Sequence, residues 1–368
     1  MLESVVSTQY WHTLEDGRVQ CDVCPRACKL REGQRGLCYV RGRENDEIKL
    51  YSYGRSSGFC IDPIEKKPLN HFYPGTSVLS FGTAGCNLAC KFCQNWDMSK
   101  SREMDILCDE AMPEQLAQTA KRYGCDSIAF TYNDPVVFLE YAMDVADACR
   151  AQQINSVAVS AGYICPDARR DFYSHMDAAN IDLKAFTEQF YKKVCGGSLA
   201  AVLDTLLYLK QETPVWFEIT TLLIPGQNDS DAELHQECEW IYENLGADVP
   251  LHFSAFHPDW KMMDISHTPQ STLTRAREIA LKTGLHYVYT GNVHDPAGSS
   301  TYCPNCSALL IERDWYELGA WALDNSGRCK DCGEKISGRF KYEPGNWGAR
   351  RMPVHIMERD NKKSANKF

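Results

Sequence analysis

Short apolar runs recur through the middle of the chain, separated by longer stretches in which apolar residues return every third or fourth position. That rhythm predicts parallel strands joined by helices. Candidate strands lie at 77–82, 126–131, 155–160, 179–184, 214–221, 250–255 and 286–290. Helices are expected over 113–123, 135–152, 199–210, 230–245 and 270–283. Pro113 suits a first helical turn, and Gly284 a helix stop. In 135–152, Val136, Leu139, Tyr141, Ala142, Met143, Ala146 and Cys149 fall near helical spacing. The expected fold is α/β, a partial TIM-like (β/α)6 barrel. Such barrels build their sites from loops at the C-terminal ends of the strands.

The cysteines change this picture, because most of the chain's 18 fall in short clusters. They divide the 368 residues into an N-terminal four-cysteine segment (1–75), the barrel (76–295), a C-terminal four-cysteine segment (296–350) and a tail (351–368), frayed after Glu358. Met1 to Gly17 has no apolar core of the kind a secretion signal needs, and no run approaches membrane-spanning length. Metal ligation therefore accounts for the cysteines better than disulfides do, and a soluble cytoplasmic protein without a membrane partner is expected. A net charge of −10 with dispersed basic residues gives no indication of nucleic acid binding.

The candidate barrel carries chemistry at each strand end. Cys86, Cys90 and Cys93 follow the apolar run Val78 to Phe81. Thiolates at i, i+4 and i+7 suit three irons of a [4Fe-4S] cluster and leave the fourth iron open to a small ligand. Zinc would want a fourth protein ligand and favours CxxC pairs. After the next strand come Asn133 and Asp134; a carboxylate there suits a buried ammonium, and an Asx turn before Pro135 is an alternative compatible with that role. Ser160 and Gly162 allow close backbone approach to a ligand, or form a plain turn. Asp182 and Lys184 share one strand face, as site residues or as a structural ion pair. His257 is a candidate general acid or base.

At the cluster motif the chain resembles the radical S-adenosylmethionine superfamily, with Phe92 at the aromatic position before the third cysteine. The resemblance implies S-adenosylmethionine chelated at the open iron, with Phe92, Asn133, Asp134, Ser160, Gly162, Asp182 and Lys184 around it. A longer ordered set narrows the likeness. CxxCPxxCxLxxGxxGxCxVR over Cys21 to Arg41, Phe81-Gly-Thr-Ala-Gly-Cys86, Cys93-Gln-Asn-Trp96, Thr131-Tyr-Asn-Asp-Pro135, Ile181-Asp-Leu-Lys184, Leu223-Ile-Pro-Gly-Gln-Asn-Asp229 and Phe256-His-Pro-Asp-Trp-Lys-Met262 resemble the AmmeMemoRadiSam-system radical enzyme, over roughly residues 20–340. That group is related to the pyruvate formate-lyase activating enzyme and other glycyl radical enzyme activases. It often has Glu where Asp134 stands and Asn where Ala161 stands. The resemblance implies flavodoxin or ferredoxin as electron donor, reductive cleavage to a 5′-deoxyadenosyl radical, hydrogen abstraction from a substrate, and Memo-like and Amme-type partners.

Cys303, Cys306, Cys329 and Cys332 form two CxxC pairs, the arrangement of a zinc ribbon, with rubredoxin-like iron as the alternative. Cys21, Cys24, Cys28 and Cys38 suit zinc, the first expectation, or a second iron-sulfur cluster. Of the remaining thiols, Cys60, Cys108, Cys125, Cys149, Cys165 and Cys238 read as small buried hydrophobes, and Cys195 as a candidate substrate-facing thiol. Three functions follow from these residues: a radical enzyme of the AmmeMemoRadiSam type, a glycyl radical enzyme activase, or a zinc-stabilised binding scaffold with a vestigial site.

Overall fold

In a computed structural model, which describes residues 5–100 and 109–356, the apolar runs become strands and the stretches between them helices. The strands are β1 (Phe59–Pro63), β2 (Ser77–Phe81), β3 (Ser127–Phe130), β4 (Asn155–Ser160), β5 (Ala178–Asp182), β6 (Trp216–Leu223), β7 (Leu251–Ala255), β8 (Val288–Gly291) and β9 (Met352–Val354). They make one sheet in the order β8-β7-β6-β5-β4-β3-β2-β1-β9. From β2 to β8 every pairing is parallel, whereas β1 runs antiparallel to β2, and β9 antiparallel to β1. Strands β2, β3 and β7 are buried at every residue, as expected where helices and interior cover both faces of a parallel sheet.

Helices α1 (Pro113–Arg122), α2 (Leu139–Arg150), α3 (Pro166–Ser174), α4 (Leu199–Glu212), α5 (Asp231–Leu245) and α6 (Gln270–Thr283) fill the crossovers. Helix α2 buries Leu139, Tyr141, Ala142, Val145, Ala146 and Cys149. Ser230 caps α5 by accepting from Glu233 N at 3.3 Å, and Gly284 ends α6 in the left-handed region at φ +110°. Helix α3 lies where periodicity gave no prediction. Its sequence, Pro-Asp-Ala-Arg-Arg-Asp-Phe-Tyr-Ser, offers few apolar positions for a stripe to show.

Both flanking segments join this frame. The N-terminal one is a set of short antiparallel strands, and its buried Arg41 pairs with Glu140 of α2. The C-terminal one is a three-stranded sheet over Thr301–Tyr302, Leu309–Asp314 and Glu317–Trp321. Its apolar residues Leu310, Ile311, Leu323 and Ile336 pack with Tyr287 and Tyr289 beside and within β8. Among the described residues, Cys60, Cys125, Cys149, Cys195 and Cys238 are buried and Cys165 is partly so. Cys108 and the tail after Glu358 lie outside the described residues. No described helix is long and apolar enough to cross a membrane.

Candidate active site

A cavity of about 540 Å³ opens at the C-terminal ends of the parallel strands, and Cys86, Cys90 and Cys93 all line it. Their loop follows β2 directly, and backbone contacts too close for side chains fix its course. A Cβ on Gly82 would meet Thr131 O at 2.4 Å, and one on Gly85, whose φ is +78°, would meet Cys38 O at 1.9 Å. Asn133 grips the same loop. Its Oδ1 accepts from Thr83 N at 2.9 Å, while Nδ2 donates to Gly85 O at 2.8 Å and Ala84 O at 3.2 Å. Two further bonds bracket Cys90, from Ala89 N to Cys195 O at 2.7 Å and from Lys91 N to Val194 O at 3.0 Å.

Charge around the three thiols is uneven. Contact with the Cys195 thiol, against burial and with help from Lys184 and Lys100, draws Cys90 down toward thiolate, while burial and that same contact push Cys195 up. Burial pushes Cys86 up to about 12, with Asp134 adding to the shift and Lys100 opposing it. Cys93 Sγ lies 3.0 Å from Ser99 Oγ.

Asp134 is the acid at the end of β3. It caps the following 3-10 turn by accepting from Val136 N at 3.1 Å, and it also accepts from Ser160 Oγ and Ala161 N, both at 3.0 Å. Three bonds leave a carboxylate one acceptor site spare. Burial raises its pKa in spite of these donors, and it makes no ion pair among the described residues. Asp182 and Lys184 do pair, at 2.6 Å; burial opposes the lysine's charge, but Asp182 and the neighbouring thiols hold its pKa above the ordinary value. Tyr132 holds φ +70°, a strained value for a bulky residue, with its hydroxyl donating to Asp62 at 3.0 Å.

Of the residues expected at the site, Phe92, Asn133, Asp134, Asp182 and Lys184 share the cavity with the three cysteines. Ser160 and Gly162 stand behind Asp134, with Gly162 N donating to Ser160 Oγ at 3.0 Å. Cys195 is fully buried against the cysteine loop, away from the cavity, and His257 is half-exposed outside it. The cavity's histidine is His252 on β7, bonded at 2.6 Å to the buried Glu218 of β6. Lys67, Glu65, Arg313, Trp315, Tyr316 and Arg351 also line the cavity, and the sequence did not point to them. They come from outside the parallel strands, where the two-residue period of a strand says nothing about facing.

The sequence profile of the Radical SAM superfamily matches residues 81–238, from the end of β2 into α5. An uncharacterized protein of Methanocaldococcus jannaschii is 42% identical over 89% of this chain and 97% of its own length. The chain belongs to the radical SAM superfamily. More distant relatives include the GTP 3′,8-cyclase of Lactiplantibacillus plantarum, 23% identical over 64% of this chain and 75% of its own. The pyruvate formate-lyase-activating enzyme of Listeria monocytogenes is 25% identical over 53% of this chain and 82% of its own. As a radical SAM enzyme, the protein uses the [4Fe-4S] cluster and S-adenosylmethionine that its superfamily implies. The cavity fits both. Its three cysteine sulfurs do not crowd within 4.8 Å of one another as ligands of a single ion would, and a buried carboxylate with a spare acceptor site faces the same space.

Proposed function

We propose that Cys86, Cys90 and Cys93 hold the cluster, that S-adenosylmethionine sits on its open iron, and that the enzyme is of the AmmeMemoRadiSam type, taking hydrogen from a substrate in the same cavity. The observation that carries this reading is the common cavity of the three cysteines and Asp134. When bound, the cofactor pair supplies one-electron cleavage of the sulfonium to methionine and a 5′-deoxyadenosyl radical, with flavodoxin or ferredoxin as donor. The chain's task is then binding, orientation and exclusion of water.

Asp134 accepts the cofactor's ammonium on its spare lone pair; Ser160 acts by holding Asp134, and Gly162 by holding Ser160. The side chain of Asn133 is committed to the cysteine loop, so it positions the cluster ligands. Phe92 packs beside the cluster. Lys184, aligned by Asp182, offers its ammonium to the cofactor's carboxylate. Leu88, Val159 and Leu222 supply an apolar lining that keeps water from the reacting carbon. At the C-terminal site, sulfur pairs Cys303–Cys332 and Cys306–Cys329 lie 3.5 and 3.7 Å apart. That is close to the roughly 3.8 Å edge of a tetrahedron with metal–sulfur bonds of about 2.3 Å, which supports a single bound ion, structural zinc in this reading.

Similarity to an activating enzyme favours a second reading, abstraction from a backbone glycine of a partner. Against it, Arg313, Trp315 and Tyr316 wall one side of the cavity, which suits a small substrate better than a protein loop. Memo-like and Amme-type proteins are the partners this reading implies. Anaerobic reconstitution followed by reduction is the test. The native chain should release 5′-deoxyadenosine and Cys90→Ala should release none while remaining folded; full turnover by that variant would refute the ligand assignment. Transfer of deuterium from a labelled small molecule into 5′-deoxyadenosine identifies the substrate, whereas a radical appearing on a partner's glycine supports the activase.

A further inference from the structure

The two four-cysteine sites of this chain are built differently. At the C-terminal site all four sulfurs lie within 4.8 Å of one another, as a single tetrahedral ion requires. The N-terminal four do not: among the described residues, no three of Cys21, Cys24, Cys28 and Cys38 come that close together. They are nonetheless one site. Cys21 N donates to Cys28 O at 3.0 Å, Ala27 N closes a turn on Cys24 O at 3.0 Å, and Gly36 N bonded to Arg41 O at 2.8 Å brings Cys38 in from the far side. All four line one narrow void, sealed by Leu30, Val136 and Val137. A ring of four thiols around a void, spread too wide for one ion, is the arrangement that a cluster needs, since each sulfur then meets its own iron and sulfide fills the middle.

Charge at the void agrees. A cluster with four thiolate ligands is anionic, and two basic residues, Arg26 and Arg41, the latter 2% exposed, line this space. Arg26 donates Nε to Asn87 O at 2.8 Å, and its buried Nη2 has no hydrogen-bond partner among the described residues.

We propose that Cys21, Cys24, Cys28 and Cys38 ligate an auxiliary [4Fe-4S] cluster and not zinc. Loading takes two ferrous ions, two ferric ions and four sulfides, which make a [4Fe-4S]2+ core, and releases the four thiol protons to solvent. The site backs directly onto the radical loop. Cys38 O occupies the space that a Cβ on Gly85 would need, Gly85 adjoins Cys86, and Arg26 reaches Asn87 on the other side of Cys86.

Metal analysis of the full chain, reconstituted anaerobically with iron and sulfide and then desalted, decides the matter. About eight iron and eight acid-labile sulfide per chain are expected, beside the metal of the C-terminal site. The triple variant Cys86→Ala, Cys90→Ala, Cys93→Ala should keep half of the iron and sulfide, with the visible absorbance and reduced-state paramagnetic signal of a cubane cluster. The double variant Cys24→Ala, Cys28→Ala should lose the other half. A triple variant that binds no iron and gains a second zinc overturns the proposal, as does a native chain whose iron never exceeds four and is all lost in the triple variant. If instead the triple variant loses no iron, the assignment of the radical cluster fails while this one stands.

Discussion

Asp134 shows how one side chain can organise a site whose parts are far apart in the chain. Its carboxylate collects donors from the turn it caps and from the end of β4, leaving a lone pair toward the cavity. Asp134→Asn keeps the shape but removes the charge and one acceptor oxygen, so the proposed ammonium contact is lost and a buried donor such as Ala161 N loses its partner. A charge-assisted hydrogen bond is worth about 1.5–3 kcal/mol, so the dissociation constant for S-adenosylmethionine should rise roughly ten- to a hundredfold in equilibrium binding, with a modest fall in melting temperature. The cysteine triad and this acid were legible because spacing and strand position mark them. Ser160 and Gly162 also stood out, but Ser160 turns its hydroxyl to Asp134 and Gly162 donates to Ser160, so neither lines the cavity. His257 drew attention as an isolated titratable group, whereas His252 sits inside a strand, where only the barrel's closure shows which face looks inward.

At the scale of elements, helix α5 lies on β6 through an unusual contact. Thr221 donates to Glu237, a fully buried carboxyl on the helix. Burial raises Glu237 from its ordinary 4.5 to about 8. Below the ordinary value both folded and unfolded chains hold this proton. As pH climbs through the window up to about 8, the unfolded chain releases it first, so the group's effect is a steady loss of folded-state stability with rising pH. Glu237→Gln removes the titration and keeps an acceptor for Thr221. Its melting temperature should fall less steeply between pH 5 and 8 than that of the native chain, and lie a few degrees higher at pH 8; parallel curves would contradict the assignment. The predicted strands agree closely with β2 to β8 because each carries a short run of buried apolar residues. Helix α3 escaped notice because Arg169 and Tyr173 fill buried positions where periodicity expects aliphatic residues.

The whole molecule depends on segments that the sequence presents as appendages. Arg313 donates to Asn70 O at 2.7 Å and also lines the active cavity, so the C-terminal sheet is fastened to the barrel mouth. Replacing one ligand of its metal site, Cys329→Ala, should lower the metal content by one ion per chain and reduce thermal stability. It should raise KM for the substrate more than it lowers cofactor cleavage, because the displaced wall touches the substrate end of the cavity. Equal losses in both would place the damage in the cluster loop. None of this was legible from the CxxC pairs, which report a metal knuckle but not the surface it docks against.

The sheet's outer pairing has a further consequence. Strand β1 is read early in translation and its partner β9 very late, yet the two lie side by side. Throughout synthesis, then, one edge of β1 is bare on a nascent chain, an open template for intermolecular pairing. Ribosome-bound intermediates and prematurely terminated products should therefore aggregate or recruit chaperones, and heterologous expression should yield most when translation is slow and the temperature low.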